Sequence, residues 1–201
     1  MTERYEYERQ IRALRKIILD GISYFIAWRS LNEEYEESVR NYREHKGFWW
    51  RYRGFFAPAR NALLWSTLLQ VAKAYDTDPR TVSLRNLLVT ARNSQTECAS
   101  FATPDSLEDI QARIVRDIGL LRKLRRYRNR RLVHYDSTEM ENVDLPAEDV
   151  ATLVDETMSI FNSLKHSCDG AYDDFEGIMG DVSLHTSQVI SIMREAEKAN
   201  P

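Results

Sequence analysis

The sequence predicts an all-α fold, an antiparallel bundle of about five to seven helices. Two observations carry this. Apolar residues recur at three- and four-residue steps over long stretches, the helical period, and nowhere alternate at every second position as in a strand. Only seven Gly and five Pro occur in 201 residues, so turns are few and elements long. With 43% hydrophobic and 29% charged residues the chain can bury a core of its own. A single domain over residues 1–201 is expected, with its core at 3–167, an acidic loop at 168–182 and a C-terminal helix at 183–198.

From Glu3 to His45, Tyr7, Ile11, Leu14, Ile18, Ile22, Phe25 and Ile26 mark one long helix, or two in line, with Gly21 as a bend rather than a clear end. Beyond Leu31 the pattern turns acidic (Glu33, Glu34, Glu36, Glu37) and is expected to project into solvent, with Gly47 as its stop. Phe48 to Phe56 packs six aromatic residues around Arg51 and Arg53. Rings this dense are costly to expose, which favours core or a subunit interface. The same interleaving also suits base stacking. Pro58 belongs in the first turn of the next helix, Ala59 to Tyr75. Asp76 to Pro79 is a turn, in which Asp76 and Asp78 read as turn residues rather than a catalytic pair.

Ser83 caps a short helix through Ala91, and Asn93 to Thr103 is a polar loop. A helix opens at Thr103 to Asp105 and continues through Leu107, Ile110, Ile114, Ile118, Leu121 and Leu124 into a basic tract. Ser137 to Pro146 is a loop, and Ala147 to Leu164 an amphipathic helix. Cys168 to Asp181 reads as a mobile acidic loop before a last helix capped by Ser183.

The basic tract is the chain's most distinctive feature. Arg122, Lys123, Arg125, Arg126, Arg128, Arg130 and Arg131 lie between Asp117 and Asp136 with no acid among them. The net charge of the whole chain is only -3, so charge is segregated along it. His134 ends the run, and imidazole is the side chain that titrates near neutral pH. Phosphate-binding cations beside one proton-transfer group suit chemistry on a phosphodiester. The blander alternative is a set of arginines that are solvated or salt-bridged, for instance to Glu33–Glu37.

Other classes find less support. There is no Gly-rich phosphate loop and no repeat of fixed period. His166, Cys168 and His185 have poor spacing and number for zinc, so no metal site and no cofactor is expected. Two cysteines suggest no disulfide framework, and a reducing cytoplasm is the expected compartment. The first residues lack the apolar centre of a signal peptide, and Ala62 to Ala74 is too short and polar to span a bilayer. No membrane association is expected.

The segment Arg128-Asn129-Arg130-Arg131-Leu132-Val133-His134 sets an arginine, then a polar residue, ahead of a histidine. Upstream lie the aromatic block, A-R-N-A-L-L-W-S-T-L-L, A-Y-D and S-L-R-N-L-L. In this order, over roughly 47–164, the chain resembles the HEPN superfamily, in its abortive-infection AbiU-like branch. The resemblance implies a metal-independent endoribonuclease of an abortive-infection or toxin–antitoxin type. It also implies RNA as partner, a homodimer, and an antitoxin protein. It carries catalysis onto Arg128, Asn129 and His134.

In that chemistry His134 serves as general acid or base. Arg128 offers a planar, permanently charged fork to phosphate oxygens. Asn129 orients either the histidine or the substrate. Arg125, Arg126, Arg130 and Arg131 would hold flanking phosphates. On an ideal helix Arg128 and His134 stand roughly 120° apart and about 9 Å along the axis, so they share no face. Either the helix loosens near Leu132, or two subunits each contribute. A non-catalytic HEPN-like bundle that binds nucleic acid or a partner is the alternative reading.

Overall fold

The computed structural model describes residues 2–40, 48–128 and 145–199. Among them are nine helices and no strand, so the fold is all-α as expected. The helices are α1 (Glu3–Arg40), α2 (Phe48–Arg51), α3 (Arg53–Ala74), α4 (Leu84–Asn93), α5 (Gln95–Cys98), α6 (Pro104–Arg116), α7 (Ile118–Arg128), α8 (Ala147–Asp169) and α9 (Phe175–Ala199). Two are single turns of four residues, α2 and α5. The other seven fall within the expected number.

The chain forms two compact units. The first comprises Met1–Gly21 and Leu68–Asp173, the second Ile22–Thr67 and Asp174–Pro201. In the first, α4, α6 and α8 pack on one another. Their buried faces are the apolar stripes of the sequence: Leu84, Leu87 and Leu88 from α4, Leu107 and Ile110 from α6, Leu153, Phe161 and Leu164 from α8. Tyr7 and Leu14 of α1 are also fully buried there. Gly21 does not break α1. An added Cβ would come within 3.1 Å of Gln70 Cβ, so the glycine permits a close approach to α3.

In the second unit Leu31, Trp49, Phe56 and Ile190 form a core, flanked by Tyr35, Leu63 and Met193. At the acidic end of α1, Glu33, Glu36 and Glu37 are exposed as expected, and Arg194 of α9 pairs with Glu34 and Glu37. Tyr35 also lies under the Arg60 guanidinium, 4.1 Å from ring centroid to Cζ.

Several boundaries depart from expectation. Pro58 lies inside α3, which begins at Arg53. The hydrogen bond it cannot donate would have gone to Gly54, which is exposed and the second residue of the helix. The polar loop after α4 contains α5, with Cys98 and Ala99 buried. The helix opened by Thr103 breaks at Asp117, dividing α6 from α7.

The largest departure is at 168–182, where helix replaces most of the expected loop. α8 continues to Asp169 and ends at Gly170, whose φ of 72° favours glycine. α9 begins five residues later, so Ser183 is internal to it. Asp173 and Asp174 have structural roles. Asp174 Oδ1 accepts the Gly177 N–H at 2.9 Å as a cap, and Asp173 pairs with Arg15 at 2.7 Å. Asp173 also exchanges two hydrogen bonds with the Asn162 side-chain amide. No helix among the described residues is long and apolar enough to cross a membrane.

Candidate functional site

The basic tract begins on α7, which is helical because one stripe has somewhere to go. Leu121 and Leu124, three residues apart, are buried, while Arg122, Arg125 and Arg126 are exposed. Basic residues crowd the last turn, where the helix dipole favours positive charge. That alone would explain a few cations. It does not explain why three of them find no ion-pair partner among the described residues, when the chain as a whole has more acids than bases.

One basic residue of α7 is neutralised. Lys123 Nζ lies 3.0 Å from Asp149 Oδ2, in the first turn of α8. The exposed positive face is therefore narrower than the tract suggests, and Arg122 belongs to it alongside Arg125 and Arg126. Position 122 was legible in the sequence as part of the tract, though not as part of the phosphate set.

Arg128 is the last residue of α7. Asn129, Arg130, Arg131 and His134 lie outside the described residues. Of the expected site residues, the structure thus brings Arg125 and Arg126 onto one exposed face that leads to Arg128.

At the other end of α7 is a feature the sequence did not single out. Asp117 closes α6, donating its N–H to the Arg113 carbonyl at 3.4 Å, and its own carbonyl accepts from Leu121 N–H at 2.9 Å to open α7. Its ψ of 1° is what turns the chain. The residue is only 6% exposed, and its Oδ2 makes no hydrogen bond.

Burial, and secondarily the charge of Glu156, push the Asp117 carboxyl above the usual carboxylate range, against the pull of Arg116 and Arg113. The Tyr75 hydroxyl shares this pocket. It is buried without a hydrogen bond of good geometry, and its pKa is raised chiefly by that burial. Around the pair, Arg113 bonds Glu156 at 3.1 Å and Ser159 at 2.7 Å, and Arg116 bonds the same Glu156. The chemistry here is that of a buried carboxyl at the root of the basic helix.

Among the described residues no group of three or more His, Cys, Asp or Glu is placed to hold a metal ion. Cys98 and Cys168 are buried free thiols whose pKa values are raised by desolvation, which makes poor nucleophiles of both. His166 is stacked on Tyr172, with ring centroids 4.5 Å apart.

The family model HEPN_AbiU2, described as AbiU2, matches residues 4–178. The match runs from the first turn of α1 into α9 and spans the whole basic tract. No curated protein and no solved structure matches the chain.

Proposed function

The chain belongs to the AbiU2 family of HEPN proteins, and from that premise we propose that it is an endoribonuclease acting in abortive infection or as the toxin of a toxin–antitoxin pair. The proposed reaction uses the substrate's own nucleophile. His134 takes the proton of a ribose 2′-OH, the 2′-oxygen bonds to the adjacent phosphorus, and the bond from phosphorus to the 5′-oxygen breaks. That oxygen leaves with a proton from a second imidazole, giving a 2′,3′-cyclic phosphate and a 5′-hydroxyl. Arg128 balances the charge that gathers on the phosphate oxygens. Asn129 orients the imidazole or the substrate.

Two imidazoles are available if a two-fold homodimer brings both copies of His134 to one groove, one as base and one as acid. Arg125, Arg126, Arg130 and Arg131 hold the flanking phosphates. An antitoxin protein that covers this face would silence it.

The observation that best supports the reading is the α7 face. Arg122, Arg125 and Arg126 are exposed without acidic partners among the described residues, on the helix that ends at Arg128. A purely structural helix would gain by pairing them. The test is cleavage of a labelled RNA in EDTA by the wild type and by His134→Ala, with mapping of the product ends. A cyclic phosphate made only by the wild type is the expected result, and equal cleavage by both proteins would overturn the reading.

A further inference from the structure

Asp117 stands at the joint between two helices that are tied to a third. Arg113 bonds Ser159, Arg116 bonds Glu156 and Lys123 pairs with Asp149. These pairs keep one antiparallel register, each step forward along α6 and α7 matched by an equal step back along α8. The last two bracket the break at Asp117. Apolar packing adds little to hold α7, because of residues 118–126 only Leu121 and Leu124 are buried. Its direction therefore depends on the polar contacts at its root, where a modest change is enough to move it.

The two arginines beside Asp117 differ in freedom. The Arg113 side chain is 17% exposed and is held by both Glu156 and Ser159. The Arg116 side chain is 61% exposed. Its Nη2 bonds Glu156 Oε1, while its Nε lies 3.9 Å from Asp117 Oδ1. Arg116 thus lies between two carboxyls and can turn to either. The other group facing Asp117 is the Tyr75 hydroxyl, just past the end of α3.

The charge on Asp117 decides between these arrangements. A neutral carboxyl and the Tyr75 hydroxyl, both buried, can satisfy each other. A carboxylate in the same place needs a cation, because a buried charge left unpaired is costly, and Arg116 is within reach of it. Burial raises the pKa of Asp117, so the neutral form persists above the usual carboxylate range.

We propose that Asp117 is a proton-operated hinge. With its carboxyl neutral, Arg116 stays on Glu156 and α7 keeps the direction described. When the carboxyl releases its proton to solvent, Arg116 leaves Glu156 for Asp117, the root of α7 shifts against α8, and the face of Arg122, Arg125 and Arg126 moves with it. The ionised state also sets a negative charge at the root of that face, so it is the weaker binder of a polyanion. Only the RNA readout rests on the ribonuclease reading above.

The test has two arms, run from acid to neutral pH on the His134→Ala chain, the same chain with Asp117→Asn, and the same chain with Arg116→Gln. In the first arm, NMR follows the Asp117 side-chain carboxyl and the amides of Lys123 and Leu124, six and seven residues further on. Both amides are expected to titrate with Asp117 in the parent and to stay still in the two variants, while the carboxyl itself still titrates in Arg116→Gln. In the second arm, anisotropy of a labelled oligouridine gives Kd. The parent should lose about fivefold in affinity as Asp117 ionises, beyond any change that Asp117→Asn shows over the same range.

Amides that ignore the Asp117 titration overturn the hinge. So does an Arg116→Gln chain that keeps the full movement and the full step in Kd, since the charge of Asp117 then acts without Arg116. A parent whose amides titrate as expected but which binds and cleaves no RNA removes the nuclease reading and leaves the hinge standing. A chain that cleaves RNA while its amides ignore Asp117 does the reverse.

Discussion

Lys123 and Asp149 join α7 to the first turn of α8, with Nζ and Oδ2 3.0 Å apart. The pair separates the cations of α7 into two kinds. Lys123 has its charge answered inside the protein, while Arg122, Arg125 and Arg126 present theirs to solvent. RNA affinity should follow that division. Arg126→Ala is expected to weaken RNA binding at every sequence tested and to lower the salt slope by about one contact. Lys123→Ala should change affinity less and cost at most about 1 kcal/mol of stability, because the lysine is half exposed. Titrations at several salt concentrations check both, and equal losses for the two variants would remove the distinction.

Arg128→Ala and His134→Ala should each reduce RNA cleavage at least about a hundredfold, with binding weakened far more by the first than by the second. The asymmetry follows from their proposed roles, since a guanidinium holds phosphate in the ground state and an imidazole moves protons. Cleavage rates and anisotropy on the same preparations give the comparison, and light scattering checks that any dimer persists. Arg128→Lys keeps the charge but not the planar fork and should recover only part of the rate. Full recovery would reduce Arg128 to a point charge.

Ser83 and Thr103 show what could be read from sequence. Each is a small hydroxyl residue before an apolar stripe, and each caps its helix, with Ser83 Oγ accepting from Asn86 N–H at 3.3 Å and Thr103 closing a reciprocal box with Ser106. The break at Asp117 was not legible. A turn made by a single ψ near zero leaves the apolar spacing untouched, and Ile110, Ile114, Ile118 and Leu121 keep their three- and four-residue steps across it. The acids of 169–181 misled for a different reason, because turns and helix caps select the same residues. In the candidate site, the exposure of Arg126 followed from its position opposite Leu121 and Leu124. The neutralisation of Lys123 did not, since its partner lies 26 residues away.

Asp117 yields a pH dependence. Its carboxyl has a raised pKa in the folded chain, so between the unfolded and folded values the native state holds the extra proton. Its contribution to stability is therefore full at acid pH and is lost as pH rises through the folded value. Asp117→Asn keeps the shape without the buried charge. The variant should match the wild type below the ordinary carboxylate range and gain relative stability above it. Melting temperatures from acid to neutral pH test this. A variant less stable than the wild type at neutral pH would mean that Arg113 and Arg116 more than offset the burial.

Trp49 and Phe55 offer the sharpest contrast in stability, because they belong to one aromatic block and differ in where they point. Trp49 is 4% exposed, stacked on Phe56 and 5.5 Å from the Tyr35 centroid. Trp49→Ala removes a large ring from a small core and should cost about 3–5 kcal/mol. Phe55→Ala removes mostly solvated surface and one edge contact, and should cost at most about 1 kcal/mol. Chemical denaturation of both variants decides the matter. A large loss at Phe55 would place that ring in the core beside Trp49 and Phe56, against its 65% exposure.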